Sequence, residues 1–196
     1  MRKESVFVFV FALITCLANI SKAAMVEWST DDGGNGHFYE VILVSEGIYW
    51  EIANNAAVTA GGYLATITSA EENAFVHNLV VSNPDFWNNY EFSGPWLGGF
   101  QPEGSMEPAG GWQWVTGEPF IYTNWTIGEP DNGTGGTENR LQFWDGRTPL
   151  PYAPTWNDRN PGYADTPPCS YVVEFVPEPA TLLLLGFGAV MLRKKR

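Results

Sequence analysis

Residues 116–138 constrain this fold more than any other stretch: glycine and proline recur too often there for a helix or a strand, and tryptophans stand on both sides. At its centre lies Gly128-Glu129-Pro130-Asp131-Asn132, followed by Glu138 and, further along, by Trp156-Asn157-Asp158. The chain has 21 Gly and 14 Pro, but also nine Trp, eight Tyr and twelve Phe. Large rings at that density argue against disorder. They argue for a loop-rich fold whose long connections are pinned by aromatic side chains.

The motif residues share one chemistry. Glu129, Asp131, Glu138 and Asp158 offer carboxylate oxygens and Asn157 an amide oxygen, all hard donors. Calcium takes about six to eight oxygens and tolerates irregular geometry, so the set suits one Ca2+ ion. Each motif alone reads equally as a polar turn or a strand end; together, in this order, they point to a metal site. Charge agrees. Between residues 24 and 176 stand three basic residues, Arg140, Arg147 and Arg159, against 20 of the 22 Asp and Glu. Such a surface repels phosphate backbones, which excludes nucleic acid as a partner, and it attracts divalent cations.

Both ends read as addresses. Arg2 and Lys3 precede an apolar run over 6–17, and Ser21-Lys22-Ala23 supplies small residues for cleavage. Residues 1–23 are therefore read as a secretory signal peptide cut after Ala23. At the other end Pro177-Glu178-Pro179 leads into an apolar run over 182–192 and then Arg193-Lys194-Lys195-Arg196. A tripeptide, one hydrophobic helix and a basic cluster in this order resemble a PEP-CTERM sorting signal, here residues 177–196. That resemblance implies export in a Gram-negative bacterium that makes exopolysaccharide. It also implies processing of the tail by an exosortase-type enzyme, and a membrane contact through the C-terminal helix that is at least transient. The basic cluster would stay on the cytoplasmic side. Cys16 leaves with the signal peptide, so Cys169 has no internal disulfide partner, and a partly buried, inert thiol is expected.

Between the ends, residues 24–36 read as a flexible leader. A strand is predicted over 38–44, then a helix over 50–60 with Trp50, Ala53, Ala57 and Ala60 on one face and Gly61-Gly62 as its stop. A short strand follows over 63–67. Ser69-Ala70-Glu71-Glu72 reads as a capping box: the Ser69 hydroxyl takes an orphan amide and Glu72 reaches back. It opens a second helix through Phe75, Val76, Leu79 and Val80. Short strands are predicted at 96–100, 112–115, 141–144, 155–157 and 171–175. Two early helices and later strands argue α+β. His37 and His77 are the only histidines and read as solvent-facing. No nucleophile–base set emerges, so the chain is not read as an enzyme.

The order of these landmarks resembles the C-type lectin-like domain over residues 37–176. Its carriers are Trp50-Glu51-Ile52-Ala53, Gly61-Gly62-Tyr63-Leu64-Ala65-Thr66-Ile67, Trp96-Leu97-Gly98-Gly99, Trp112-Gln113-Trp114, Asn124-Trp125, the Glu129-Pro130-Asp131 and Trp156-Asn157-Asp158 motifs, and Val173-Glu174-Phe175. The resemblance implies an α+β double-loop fold with two helices, small antiparallel sheets and a long ligand-binding loop. It implies that Glu129, Asp131, Glu138, Asn157 and Asp158 hold both Ca2+ and a carbohydrate, with Pro130 cis. Two adjacent sugar hydroxyls would bind the metal, each donating to a carboxylate and accepting from an amide.

Two departures stand out. Arg140 and Val173 occupy positions where the family usually has cysteines, so the Trp-rich interior has to hold the long loop. Asp131 places a second carboxylate where the family pairs one carboxylate with one amide, which favours calcium and blurs sugar preference. Trp125, Trp144 and Tyr152 are open to stacking on a sugar, whereas Trp125 and Trp156 also read as core plugs, and Phe120 and Tyr122 as packing residues. The expected protein is an exported calcium-dependent carbohydrate-binding module of the bacterial envelope or exopolysaccharide matrix. The alternative is a lectin-like protein-binding or structural matrix protein in which calcium only orders the loop.

Overall fold

One strand sets the architecture. In the computed structural model, which describes residues 20–22, 24–88, 93–133, 135–144, 153–162 and 167–177, β3 (Phe38–Val44) is apolar on both faces. Tyr39 and Val41 enter one core, and Ile42 enters the other. A strand buried on both sides needs a layer above and a layer below. The two helices, α1 (Trp50–Thr59) and α2 (Ala70–Val81), supply them.

Around β3 lie β1 (Ile20–Lys22), β2 (Val26–Glu27), β4 (Tyr63–Leu64), β5 (Ser93–Phe100), β6 (Gln113–Trp114), β7 (Arg140–Trp144), β8 (Thr155–Arg159) and β9 (Ser170–Phe175). The order is β1-β3-β9-β5-β7-β8, with β2 on β3, β4 on β9 and β6 on β5. β3 and β9 pair antiparallel from Phe38↔Phe175 to Leu43↔Ser170, so the two ends of the domain close on each other. The expected α+β fold is present, and its short, mostly antiparallel strands join in one mixed sheet. The link is β5, which meets β9 in parallel at Trp96↔Tyr171 and β7 in antiparallel fashion.

α1 buries Trp50, Ala53 and Ala57 against the second core as its sequence pattern predicts, whereas Ala60, expected on the same face, is an exposed C-cap just past its end. Its stop has two causes. Gly61 adopts a left-handed φ of 89°, and Gly62 lies so close to β9 that a Cβ would meet the Glu174 carbonyl. At the start of α2 the Ser69 hydroxyl accepts from Glu72 N at 3.1 Å. Glu72 does not close the reciprocal half of the box. Its carboxylate passes Ser69 and accepts from Thr68 N (2.6 Å) and Thr68 Oγ1 (2.8 Å).

The leader differs from expectation. β2 pairs with β3, a 3-10 turn forms at Thr30–Asp32, and Trp28 stacks on Phe75 of α2 at 5.7 Å. The histidines differ too. His37 Nδ1 lies 2.6 Å from Glu174 Oε1, and His77 sits edge-on to Phe143 at 5.6 Å. Of the expected signal peptide only residues 20–22 are described, and they pair with β3. The rest of it, the apolar run over 182–192 and Tyr152 lie outside the described residues. Among the described residues no helix is long and apolar enough to cross a membrane.

An aromatic cluster fixes the long loop. Trp156 is fully buried, and Trp114, Trp125 and Tyr122 meet it edge-on at 5.8, 5.9 and 5.5 Å. Phe120 lies 4.8 Å from Trp114, and Trp125 lies 4.9 Å from Trp112. Trp125, Trp156, Phe120 and Tyr122 are therefore packing residues. Burying one such ring removes about 150–250 Å² from water, an upper bound of roughly 4–6 kcal/mol at 25 cal/mol per Å². A disulfide contributes about 2–4 kcal/mol, so burying one such ring is of the same order as a missing bridge. Arg140, where a cysteine was expected, lies 4.7 Å over the Trp50 ring and pairs with Glu51 at 2.9 Å.

Candidate functional site

The site forms where the long loop runs past the edge strand. β8 is the last strand of the sheet, so one side of its backbone is open. The loop takes that side: Trp156 N donates to Asn124 O and Thr126 N to Trp156 O, both at 2.9 Å, forming a parallel bridge between Trp125 and Trp156. The Thr126 hydroxyl donates to Thr155 Oγ1 at 2.8 Å. The chain then turns, with Glu129 N donating to Thr126 O at 2.9 Å, and the Glu129–Pro130 peptide is cis.

Beyond that turn the backbone wraps Asp158. Asp131 N and Asn132 N donate to Asp158 Oδ1 (3.2 Å) and Oδ2 (2.8 Å). Asn132 adopts φ 56°, a left-handed conformation that Asn tolerates better than most residues. Its side chain accepts from Glu138 N at 3.0 Å, which ties the outgoing arm of the loop to the incoming one. Asp131 Oδ1 accepts from Gly133 N at 2.7 Å. Gly133 has no room for a side chain, because a Cβ there would overlap the Glu138 carboxylate.

These constraints bring Glu129, Asp131 and Asp158 together, with one oxygen of each within 4.8 Å of the others. Asp158 is fully buried, and Glu129 Oε2 is buried without a hydrogen-bond partner. Burial, then Asp131 and Asp158, push the Glu129 carboxyl up to about 8. Burial, then Asp158 and Asp131, push Glu138 up to about 7, against the opposing pull of Arg159. Asp158 is raised by burial, although the backbone N–H groups of Asn132 and Asp131 oppose the shift. The two carboxylates are served unequally: backbone N–H groups of Asp131 and Asn132 favour the ionised form of Asp158, whereas Glu129 has no such donors.

Asn157 is placed differently. It is nearly buried, and its cross-strand partner is Gln142 of β7, whereas Asp158 opposes Leu141. Successive strand residues alternate faces, so Asn157 stands on the face opposite to Asp158. Trp144 is half-buried at the end of β7. Asn132 is the residue that sequence reasoning passed over. Its signal was an Asn-Gly step inside a turn.

A divalent cation fits this donor set. Two oxygens on opposite sides of one calcium lie about 4.6–5.2 Å apart, given calcium–oxygen distances of about 2.3–2.6 Å. The 4.8 Å spread of the three carboxylates falls in that span. The buried, unpartnered Glu129 oxygen and the raised carboxyl pKa values mark an excess of negative charge that Arg159, the one cation acting on Glu138, offsets only in part.

Comparison with known proteins agrees with this geometry. Residues 46–148 match the Lectin C-type domain, and residues 175–196 match the PEP-CTERM protein-sorting motif. The chain belongs to the C-type lectin domain family. Its C-terminal motif marks an exported protein sorted to the envelope. Among curated proteins, ladderlectin of Oncorhynchus mykiss is 32% identical over 113 residues, 58% of this chain and 52% of the relative. A perlucin-like protein of Mytilus galloprovincialis is 30% identical over 100 residues, 50% of this chain and 57% of the relative. The chain thus spans about half the length of these relatives. Among solved structures, the cow C-type carbohydrate-recognition domain of CD23, determined in the presence of a GlcNAc2Man3 oligosaccharide, aligns with TM-score 0.52 at 24% identity over 73% of this chain and 90% of that one. A calcium-independent type II antifreeze protein aligns with TM-score 0.53 at 18% identity over 78% and 95%. These structures share the fold. The relatives are lectins and antifreeze proteins.

Proposed function

We propose that this protein is an exported, calcium-dependent carbohydrate-binding module of a Gram-negative envelope or exopolysaccharide matrix. The observation that carries the reading is the closure of Glu129, Asp131 and Asp158 around one point within 4.8 Å. Those three residues hold Ca2+, with Glu138 and Asn157 completing the protein's share. The metal, when bound, offers open positions to sugar hydroxyls. Glu129 and Asp131 accept the hydroxyl protons, and Asn157 Nδ2 donates to a sugar oxygen. The tail would be processed by an exosortase-type enzyme after a transient membrane contact.

The test is calorimetry with calcium, followed by a glycan array run with and without chelator. The reading expects calcium binding, and glycan binding that disappears with chelator. A second reading has one observation in its favour: Asp131 Oδ1 already accepts from Gly133 N inside the loop. In that reading calcium only orders the loop of a protein-binding or structural matrix protein. Calcium binding without any glycan response would favour it.

A further inference from the structure

Gln142 lies in the middle of β7 with no exposed surface, and neither its amide oxygen nor its amide nitrogen has a hydrogen-bond partner. A buried primary amide in that state is strongly unfavourable and calls for a partner. Directly opposite on β8 stands Asn157, itself nearly buried. Residues so opposed share a face, with Cβ atoms about 4.5–5.5 Å apart. Two amides therefore confront each other, one of them on a candidate metal ligand.

An Asn ligand has a flip problem. Its side chain presents an oxygen or an NH2 group from nearly the same shape, and only the oxygen can face a cation. A neighbour able to accept a proton from the NH2 side selects the productive flip, and metal sites use such outer partners to fix their ligands. We propose that Gln142 is a positioning residue for Asn157: when the site takes a cation, its now unpartnered amide oxygen accepts from Asn157 Nδ2 and so holds Asn157 Oδ1 toward the side of Glu129 and Asp158. Asn157 Nδ2 has two protons, so one remains for a ligand oxygen. The inference rests on the calcium reading above and assigns it a residue outside the ligand set.

The substitution Gln142→Met keeps the volume and removes the orphan amide. Replacing an unsatisfied buried amide by an apolar group of similar shape does not destabilise, so the calcium-free protein should melt at the same temperature or higher. Calcium affinity by calorimetry should nevertheless fall about tenfold or more, the size usual for losing an outer partner of a metal ligand. In an Asn157→Ala background, Gln142→Met should cause no further loss, because its route to the metal has gone. Unchanged calcium affinity in Gln142→Met would overturn this inference and leave the calcium reading standing. The inference also fails if the variant melts lower and loses affinity equally in both backgrounds, because Gln142 is then only structural. A parent protein that binds no calcium overturns both.

Discussion

Among the described residues two acidic clusters stand out, and they are finished differently. Where the ends of the domain meet, Glu72 and Glu174 are both 2% exposed, and nearly every oxygen is engaged. Glu174 Oε2 accepts from Thr66 N at 2.9 Å, Oε1 faces His37 Nδ1 at 2.6 Å, and Tyr39 OH donates to Glu72 Oε1 at 2.5 Å. Asn35 Nδ2 adds a bond to Glu72 Oε1 at 3.1 Å. Burial still raises Glu174, but its partners in the protein oppose the shift. At the loop, backbone N–H groups serve Asp158, while Glu129 Oε2 is left buried and unpartnered. The first cluster is a completed joint between the leader, α2 and β9. The second leaves a buried carboxylate oxygen without a donor, the opening that the proposed cation would fill. Carboxylate count alone would not separate them; the number of donors the protein itself supplies does.

The largest effects should separate the clusters in opposite directions. Glu174→Ala removes one partner from a buried, charge-assisted network, which typically costs about 3–5 kcal/mol. Chemical denaturation should read that loss, while calcium affinity of the folded variant stays unchanged. Glu129→Gln should do the reverse. Without calcium, above about pH 8 where the Glu129 carboxyl would otherwise ionise, it relieves repulsion and raises the melting temperature. With calcium it removes a direct ligand, so affinity should fall by more than the roughly 10–100-fold typical of an outer partner. If both variants destabilised the calcium-free protein alike, the contrast between a completed and an uncompleted cluster would be broken.

Acidity sharpens the same contrast. Glu129 and Glu138 stand at about 8 and about 7 against an ordinary 4.5. Both are raised, so the calcium-free fold holds protons that the unfolded chain gives up. The stability they contribute is complete below about pH 4.5 and is lost as pH climbs through roughly 7–8. Calcium requires the ionised carboxylates, so in excess calcium the loop cluster should contribute more stability as pH rises over that range. Melting curves taken with chelator and with calcium should therefore diverge from about pH 5 to pH 8. Parallel curves would mean that these carboxylates do not meet a metal.

How much of this was legible in the sequence depended on range. The buried face of α1, its Gly61 stop and the Ser69 cap rest on residues a few positions apart, and local chemistry specified them. The loop motif was legible because its residue types have one shared chemistry, even though Asp131 and Asp158 are 27 apart. The leader was not. Asn35 and His37 find partners 37 and 137 residues away, in Glu72 and Glu174, and read locally as parts of a flexible turn and an exposed strand start. The strand predicted over 63–67 stops at Leu64 for a related reason: Thr66 N donates to the Glu174 side chain instead of to a neighbouring strand. Asn157 was legible as a ligand type but not in its placement, which depends on β8 being an edge strand and on a register that sets it against Gln142.

The smallest effect should come from Asp131→Asn, and it tests the recognition chemistry more than the metal. Asp131 is exposed, and its Oδ1 accepts from Gly133 N at 2.7 Å, a bond an Asn oxygen can keep. The substitution therefore preserves the loop geometry, removes one negative charge and adds an NH2 donor. Calcium affinity should drop modestly, because three carboxylates of the site remain. A sugar hydroxyl at the metal should gain the amide donor it lacks beside Asp131, worth about 0.5–1.5 kcal/mol, or roughly 2- to 13-fold at 25 °C. Glycan signals on an array should rise by that factor, since the loop would then pair one carboxylate with one amide. An unchanged glycan preference, with calcium still bound, would place the sugar away from Asp131 and leave the loop cluster as a metal clasp alone.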